Sequence, residues 1–215
     1  MARRSDHSRE QLYALVIAAA QKCAEADGLR GITARRIAAE IGYSPGTLYN
    51  VFADRDDIVT RVNIATLEAL YRALAETPLQ GDPVRAIRAL ARRYIAFIRE
   101  HPKLWNLLFE HHLPPGRVTP ERYYDQVERL LGLVESALTP LFGPRRQRAR
   151  RRAARVLWSA VHGICSLEGA GKLIKGETVE GLADSLVTHY LAGLEQTQRR
   201  TRGQGRASTP ARRSS

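Results

Sequence analysis

At 215 residues, 44% hydrophobic and 26% charged, the chain has ordinary globular usage and enough length for one or two compact units, which excludes wholesale disorder. Its charge is lopsided: 34 basic residues against 22 acidic ones give +12, a balance suited to a polyanionic partner such as nucleic acid. Two cysteines, Cys23 and Cys165, exclude a disulfide framework or zinc-type spacing, and no apolar run approaches the roughly 18–20 residues needed to span a bilayer.

The excess charge is not spread evenly. Arg199, Arg200, Arg202, Arg206, Arg212 and Arg213 fall within the last seventeen residues with no acid among them, so half of the +12 sits in the tail and about +6 in the rest. Poor in residues that could be buried, residues 198–215 are expected to form a disordered basic tail. At the other end, MARRSDHSRE precedes the apolar LYALVIAAA, which runs into Gln21, Lys22 and acids rather than a small-residue cleavage site. That argues against a secretory signal and for a cytoplasmic protein.

Gly and Pro divide the chain into helix-sized pieces without a period-two strand, so the expected fold is all-α with about nine helices. After a flexible arm at residues 1–8, Leu12, Leu15, Val16, Ala19, Ala20 and Cys23 recur at three-four spacing, predicting an amphipathic helix from Arg9 to about Ala26. Two short helices follow, Ala34–Ile41 and Pro45–Val51, and then a longer one from Arg55 to about Glu76. Asp82 caps and Pro83 opens a helix reaching Arg99. His101-Pro102 opens a short one to about His111, and Thr119-Pro120-Glu121 another to Leu138. A long helix covers Gln147 to Ala170, and Thr178 caps a last one ending near Gln196.

The segment TARRIAAEIGYSPGTLYNV, Thr33–Val51, has the proportions of a helix-turn-helix. Both helices are too short to persist unless packed on a third, for which Ile37, Ile41, Leu48 and Val51 supply inward contacts. Gly42 stands where the turn needs a left-handed residue. Thr33 caps the first helix and Ser44 the second, with Pro45 behind it. The outer side of the second helix carries Pro45, Gly46, Thr47, Tyr49 and Asn50, an uncharged set able to approach base edges, and Asn50 suits adenine in particular. Arg35, Arg36 and Arg55, with Thr33, flank it as expected phosphate contacts. The plain alternative is a three-helix packing unit with ordinary caps. Against it stands the joint occurrence of Gly42, Ser44-Pro45, Leu48-Tyr49 and Phe52 just before Asp54-Arg55-Asp56-Asp57.

Over residues 9 to about 60, ITARRIAAEIGYSPGTLYNVFADRDDIV resembles the DNA-binding domain of the tetracycline-repressor (TetR) family. The resemblance implies a fourth helix joining DNA reading to a larger all-α ligand-binding and dimerisation domain. The expected division is thus a helix-turn-helix domain at 9–54 and a linker helix with a regulatory domain at 55–197. Trp105-Asn106-Leu107-Leu108-Phe109-Glu110 and Trp158-Ser159-Ala160-Val161-His162-Gly163 are similar to the family's subgroup named for a W-x-x-x-H-G signature.

In this second half Tyr94, Phe97, Trp105, Phe109, Tyr123, Tyr124, Trp158 and His162 could line an apolar pocket with polar tips; a filled core is the bland alternative. His162 and Cys165 share a helical face, but neither three metal ligands nor a nucleophile's orienting group accompanies them, so no metal, cofactor or enzymatic activity is expected. Leu157, Val161 and Ile164, then Leu182, Leu186, Tyr190 and Leu194, form stripes that suit a two-fold four-helix bundle between subunits, or packing within one. The function expected is that of a homodimeric regulator of transcription, a repressor, that binds double-stranded operator DNA and is released by a small-molecule effector without a membrane partner. A non-specific nucleic-acid binder driven by the tail is the alternative.

Overall fold

The computed structural model describes residues 7–142 and 146–207, with side chains to Thr197. Among these are nine α-helices and no strand: α1 (Arg9–Asp27), α2 (Ala34–Ile41), α3 (Pro45–Leu48), α4 (Arg55–Ala75), α5 (Pro83–Glu100), α6 (Pro102–Glu110), α7 (Glu121–Leu138), α8 (Gln147–Gly169) and α9 (Val179–Ala207). No helix among the described residues is long and apolar enough to cross a membrane. The chain divides into two compact units. One takes the described residues up to Ala75 together with Ala96–Leu130, and the other takes Glu76–Ile95 with the described residues from Leu131 onward.

In the first unit, α1 opens with a reciprocal cap: the Gln11 N–H donates to Ser8 Oγ at 3.2 Å while the Ser8 N–H donates to Gln11 Oε1 at 2.7 Å. Its three-four stripe buries Leu12, Val16, Ala19, Ala20 and Cys23. A single 3-10 turn at Gly28–Gly31, absent from the sequence reading, then leads to Thr33, which caps α2 by accepting from the Arg36 N–H at 3.3 Å. Gly42 closes α2 in the left-handed region at φ 74°, where a side chain would cost steric energy, and lets the Tyr43 N–H reach back to the Ala38 carbonyl at 2.9 Å. One apolar cluster joins α1, Ile37, Ala38, Leu48, Phe52, Ile58, Val59 and Val62, and also Leu104 and Leu107 of α6. Helix α6, read from sequence as part of the regulatory half, thus shares the core of α1–α3.

Two expectations change in this unit. The second short helix ends at Leu48 rather than Val51, and residues 49–51 continue as a turn in which the Asn50 and Val51 N–H groups donate to Thr47 and Leu48 at 3.2 and 3.1 Å. Tighter i to i+3 bonds are the usual way a short helix finishes when the chain must turn at once into its next anchor, here Phe52. Ser44 stands at the N-cap position but makes no capping bond, because its hydroxyl instead shares a 2.8 Å hydrogen bond with the Thr47 hydroxyl.

The second unit is held by regular stripes. Helix α9 buries Val179, Ala183, Val187 and Leu191 at a strict spacing of four, and α8 buries Ala153, Ala154, Leu157, Val161 and Cys165. Small residues on both helices permit close packing. Arg88 donates to Thr188 Oγ1 at 2.7 Å, and Arg92 pairs with Asp184 at 3.3 Å, tying α5 to α9. Glu135 on α7 collects Arg150, Arg151 and Arg155 of α8 at 3.8–3.9 Å. Three cations of the Arg-rich first turns of α8 thus converge on one acid. Thr178 caps α9 as expected, accepting from the Gly181 N–H at 3.1 Å. The helix continues past Gln196 to Ala207, so residues 198–207 are helical where a disordered tail is expected. Once a buried, capped segment has met the cost of nucleation, Arg- and Gln-rich sequence needs only the smaller cost of propagation. Residues 208–215 of that tail lie outside the described residues.

Candidate nucleic-acid interface

Leu48 is wholly buried, and this anchors the short α3 by one residue and turns its neighbours outward. Pro45, Gly46, Tyr49 and Asn50 are exposed, with Tyr49 at 49%; Thr47 is half-buried against the Ser44 hydroxyl. Four of the five residues expected on the uncharged face are thus exposed on α3 and the turn after it.

The flanking cations behave differently from one another. Arg35 is exposed, and no ion pair or hydrogen bond from the described residues engages its side chain, so it is available to a phosphate. Arg36 is paired with Asp27 at the end of α1, and the guanidinium holds that carboxyl below its usual range. Arg55 is committed to structure: Nε donates to the Ile32 carbonyl and an NH2 group to that of Leu29, both at 2.7 Å. The Leu29 carbonyl, which also accepts from the Ile32 N–H at 3.3 Å, and the Ile32 carbonyl just past the 3-10 turn are both met by the guanidinium's rigid fork. Arg55 is better described as a strut between α4 and that turn than as a phosphate clamp.

Several contacts around this face have no local signal in the sequence. His7 Nδ1 and the Tyr43 hydroxyl share a 2.7 Å hydrogen bond beside the turn. On α4, Asp54 acts as the cap, accepting from the Asp57 N–H at 2.9 Å, and the Asp57 carboxylate returns to the Ala53 N–H at 3.2 Å and to Arg61 at 3.1 Å. The segment after α6 supplies Arg117 to Asp54 at 2.6 Å and His111 to Asp56 at 3.1 Å. Hydrogen bonding by Arg117 holds the Asp54 carboxyl below the usual carboxylate range. This contribution to the folded state is present above the unfolded carboxyl's pKa and is lost as acid protonates the group. At the start of α6, Lys103 donates to the Ala26 carbonyl and His101 meets Glu25 at 3.3 Å.

The aromatic set expected to line a pocket falls on both units. In the first, Phe97 and Trp105 are buried, with Phe97 against His101 and Trp105 edge-on to Phe109 at 5.3 Å; Phe109 and Tyr124 are exposed, and Tyr123 meets Tyr124 edge-on. The exposed pair corrects their expected place in a pocket wall: helical spacing identifies an apolar ring but not which way its helix is turned. In the second unit, Trp158 stacks on His162 at 5.6 Å, the Tyr94 hydroxyl lies 3.2 Å from His162 Nδ1, and the Ser166 hydroxyl 3.3 Å from Nε2. Burial pushes the His162 pKa down and the buried Tyr94 phenol well up, so this is a neutral, hydroxyl-bonded imidazole at neutral pH.

Cys23 and Cys165 are both buried, and burial pushes the Cys23 thiol up. Neither thiol should react with a disulfide reagent over minutes in the folded chain, whereas both should react in guanidinium. Rapid native labelling of Cys165 would revive a nucleophilic role.

Residues 16–62 match the family model of bacterial regulatory proteins of the tetR family, and residues 87–190 match that of the tetracyclin repressor-like C-terminal domain. The chain belongs to the TetR family. TetR regulators act on transcription rather than as enzymes, which sets aside the His162–Cys165 chemistry. Two curated HTH-type relatives show how far sequence likeness reaches. The HTH-type transcriptional repressor DrrR1 of Streptomyces coeruleorubidus is 30% identical over 122 residues, which is 55% of this chain and 42% of that protein. An uncharacterized HTH-type transcriptional regulator of Mycobacterium tuberculosis is 26% identical over 183 residues, 85% of this chain and 80% of the relative. The chain thus aligns with less than half of the length of the first and most of the second. Among solved structures, a protein of unknown function from Rhodococcus sp. RHA1 superposes with a TM-score of 0.70 at 22% identity, covering 90% of this chain and 99% of that one. FadR of Thermus thermophilus, a TetR-family repressor in complex with lauroyl-CoA, gives 0.59 at 21%, covering 83% and 93%. At such identities the likeness bears on the fold of this TetR chain.

Proposed function

We propose that the protein is an effector-responsive transcriptional repressor of the cytoplasm that binds a pseudo-palindromic operator as a homodimer. The observation that carries this reading is the exposed, uncharged surface of Pro45, Gly46, Tyr49 and Asn50. Charged clamps would hold any duplex, whereas hydroxyl and amide groups free to meet base edges favour a chosen sequence. Arg35 and Thr33 supply the phosphate contacts in this reading. Two such faces in a two-fold dimer would enter major grooves about 34–36 Å apart.

For the dimer, Leu157 and Val161 drop out of the expected contact set, because each is already buried within its own chain. Half-buried Ile164, Leu182, Leu186, Tyr190 and Leu194 remain, and exposed Val156 and Leu167 join them on α8. For the effector, the cluster of Trp158, His162 and Tyr94 offers ring faces with a neutral polar tip. The same Trp158, His162 and Gly163 support membership of the W-x-x-x-H-G subgroup. The repressor name of DrrR1 and the acyl-CoA bound to FadR favour release by an apolar small molecule, which must bind the weakly DNA-binding state more tightly to act.

Selection of bound sites from random duplexes, followed by footprinting, tests the whole. The expected result is an inverted repeat protected on two successive turns. Recovery of duplexes without a shared sequence, with binding lost on deletion of residues 198–215, would establish tail-driven non-specific binding instead.

A further inference from the structure

Three facts about the first turn of α4 belong together. Asp54 caps the helix through the Asp57 N–H and in the same place accepts from Arg117 at 2.6 Å. Asp56, in that turn, meets His111 at 3.1 Å, and the His111 side chain is only 7% exposed. Between Asn50 and Asp54 the chain has only Val51, Phe52 and Ala53, and Phe52 is fixed in the core. The position of α4's first turn and that of the exposed Tyr49 and Asn50 are therefore linked by three residues, one of them immobile.

Arg117 is itself held in place for this contact. Its N–H donates to the Pro114 carbonyl at 3.1 Å across a turn whose Gly116 takes φ +84°, a conformation that L side chains rarely adopt. Leu104 and Leu107 root α6 in the same apolar cluster as α1 and α2, while Lys103 and His101 fasten its start to the end of α1. The side chains that grip α4 thus stand on the segment directly after a helix already locked to the other reading helices.

We infer that Arg117 and His111, well outside the helix-turn-helix sequence, are positioning residues for operator reading: they hold the cap of α4, and through it the base-contacting turn at Tyr49 and Asn50. The inference rests on the reading that this face contacts operator bases. Contacts to base edges tolerate displacements of only about 0.5 Å, so a pair that adds little to folding can still decide affinity.

Sign separates this role from a simple charge effect. If Arg117 merely added positive charge near DNA, Arg117→Ala would weaken binding to every duplex, and Asp54→Asn, which removes a negative charge, would strengthen it. If the pair positions the reading turn, Asp54→Asn weakens selective binding even though it makes the surface more positive, since the amide oxygen still caps α4. With the full chain and the duplex recovered by selection, fluorescence anisotropy at fixed salt should show about a tenfold loss for Arg117→Ala and for Asp54→Asn. The double variant should lose no more than either single one, and Arg117→Lys should keep most of the affinity. Affinity for a scrambled duplex and the melting curve should hardly move. An Asp54→Asn variant that binds the selected duplex as well as or better than the parent overturns the inference, as does an additive double variant. Equal binding of a selected duplex by every variant sinks this inference alone; failure of the parent to select any duplex sinks the functional reading with it.

Discussion

Tyr49→Ala should lower affinity for the selected operator by about thirtyfold or more while leaving the dimer and the helical content unchanged. The ring is 49% exposed although its neighbour Leu48 has no exposure at all, so the chain presents Tyr49 without using it for packing. Truncation opens no cavity; it removes only what the ring and its hydroxyl touch outside the protein. Losing one base-edge or phosphate contact costs about 1–3 kcal/mol per site, and a two-fold dimer loses it twice. Thr47→Ala should cost less, because that hydroxyl is half-buried and already shares a bond with Ser44. Anisotropy with the selected and a scrambled duplex, beside sedimentation of the free protein, reads both effects. A Tyr49→Ala variant that retains selective affinity would move the reading face elsewhere on the head.

Much of this architecture is legible in the chain because its signals are local. Caps at Thr33, Asp82 and Thr178, the left-handed Gly42, and stripes such as Val179, Ala183, Val187 and Leu191 act within one or two turns. A linear pattern displays them directly. What escaped were contacts set by distant segments. Arg55 looks like a free cation until Leu29 and Ile32, in and just after the 3-10 turn, present their carbonyls to it from more than twenty residues upstream. His111 and Arg117 look like loop residues until α6, rooted by Leu104 and Leu107, brings them to the acids of α4. Leu157 and Val161 form the apolar stripe that a subunit interface requires, yet periodicity alone cannot say whether a stripe faces its own chain or another's. The same ambiguity misplaced Phe109 and Tyr124, which helical spacing marks as pocket walls and the fold leaves exposed.

Phe52→Ala should abolish operator binding by a different route, through loss of the folded head. Phe52 is 2% exposed, its ring stacks on Tyr13 at 5.1 Å with an interplanar angle of 18°, and its N–H donates to the Leu48 carbonyl at 3.0 Å. Replacing a buried Phe by Ala costs about 3–5 kcal/mol, part transfer and part cavity. A whole domain is commonly stable by only about 5–15 kcal/mol. The cost also falls on helices too short to survive alone: α2 has eight residues and α3 four, so both exist only while the cluster under them is complete. Thermal melting should shift down by well over ten degrees, and amide exchange should quicken throughout α1–α3, unlike in Tyr49→Ala. Affinity should fall for selected and scrambled duplexes alike, since no reading surface remains to discriminate. A Phe52→Ala chain that melts like the parent would mean that the side chain does not anchor the turn, and the link from α4's cap to Tyr49 would lose its fixed point.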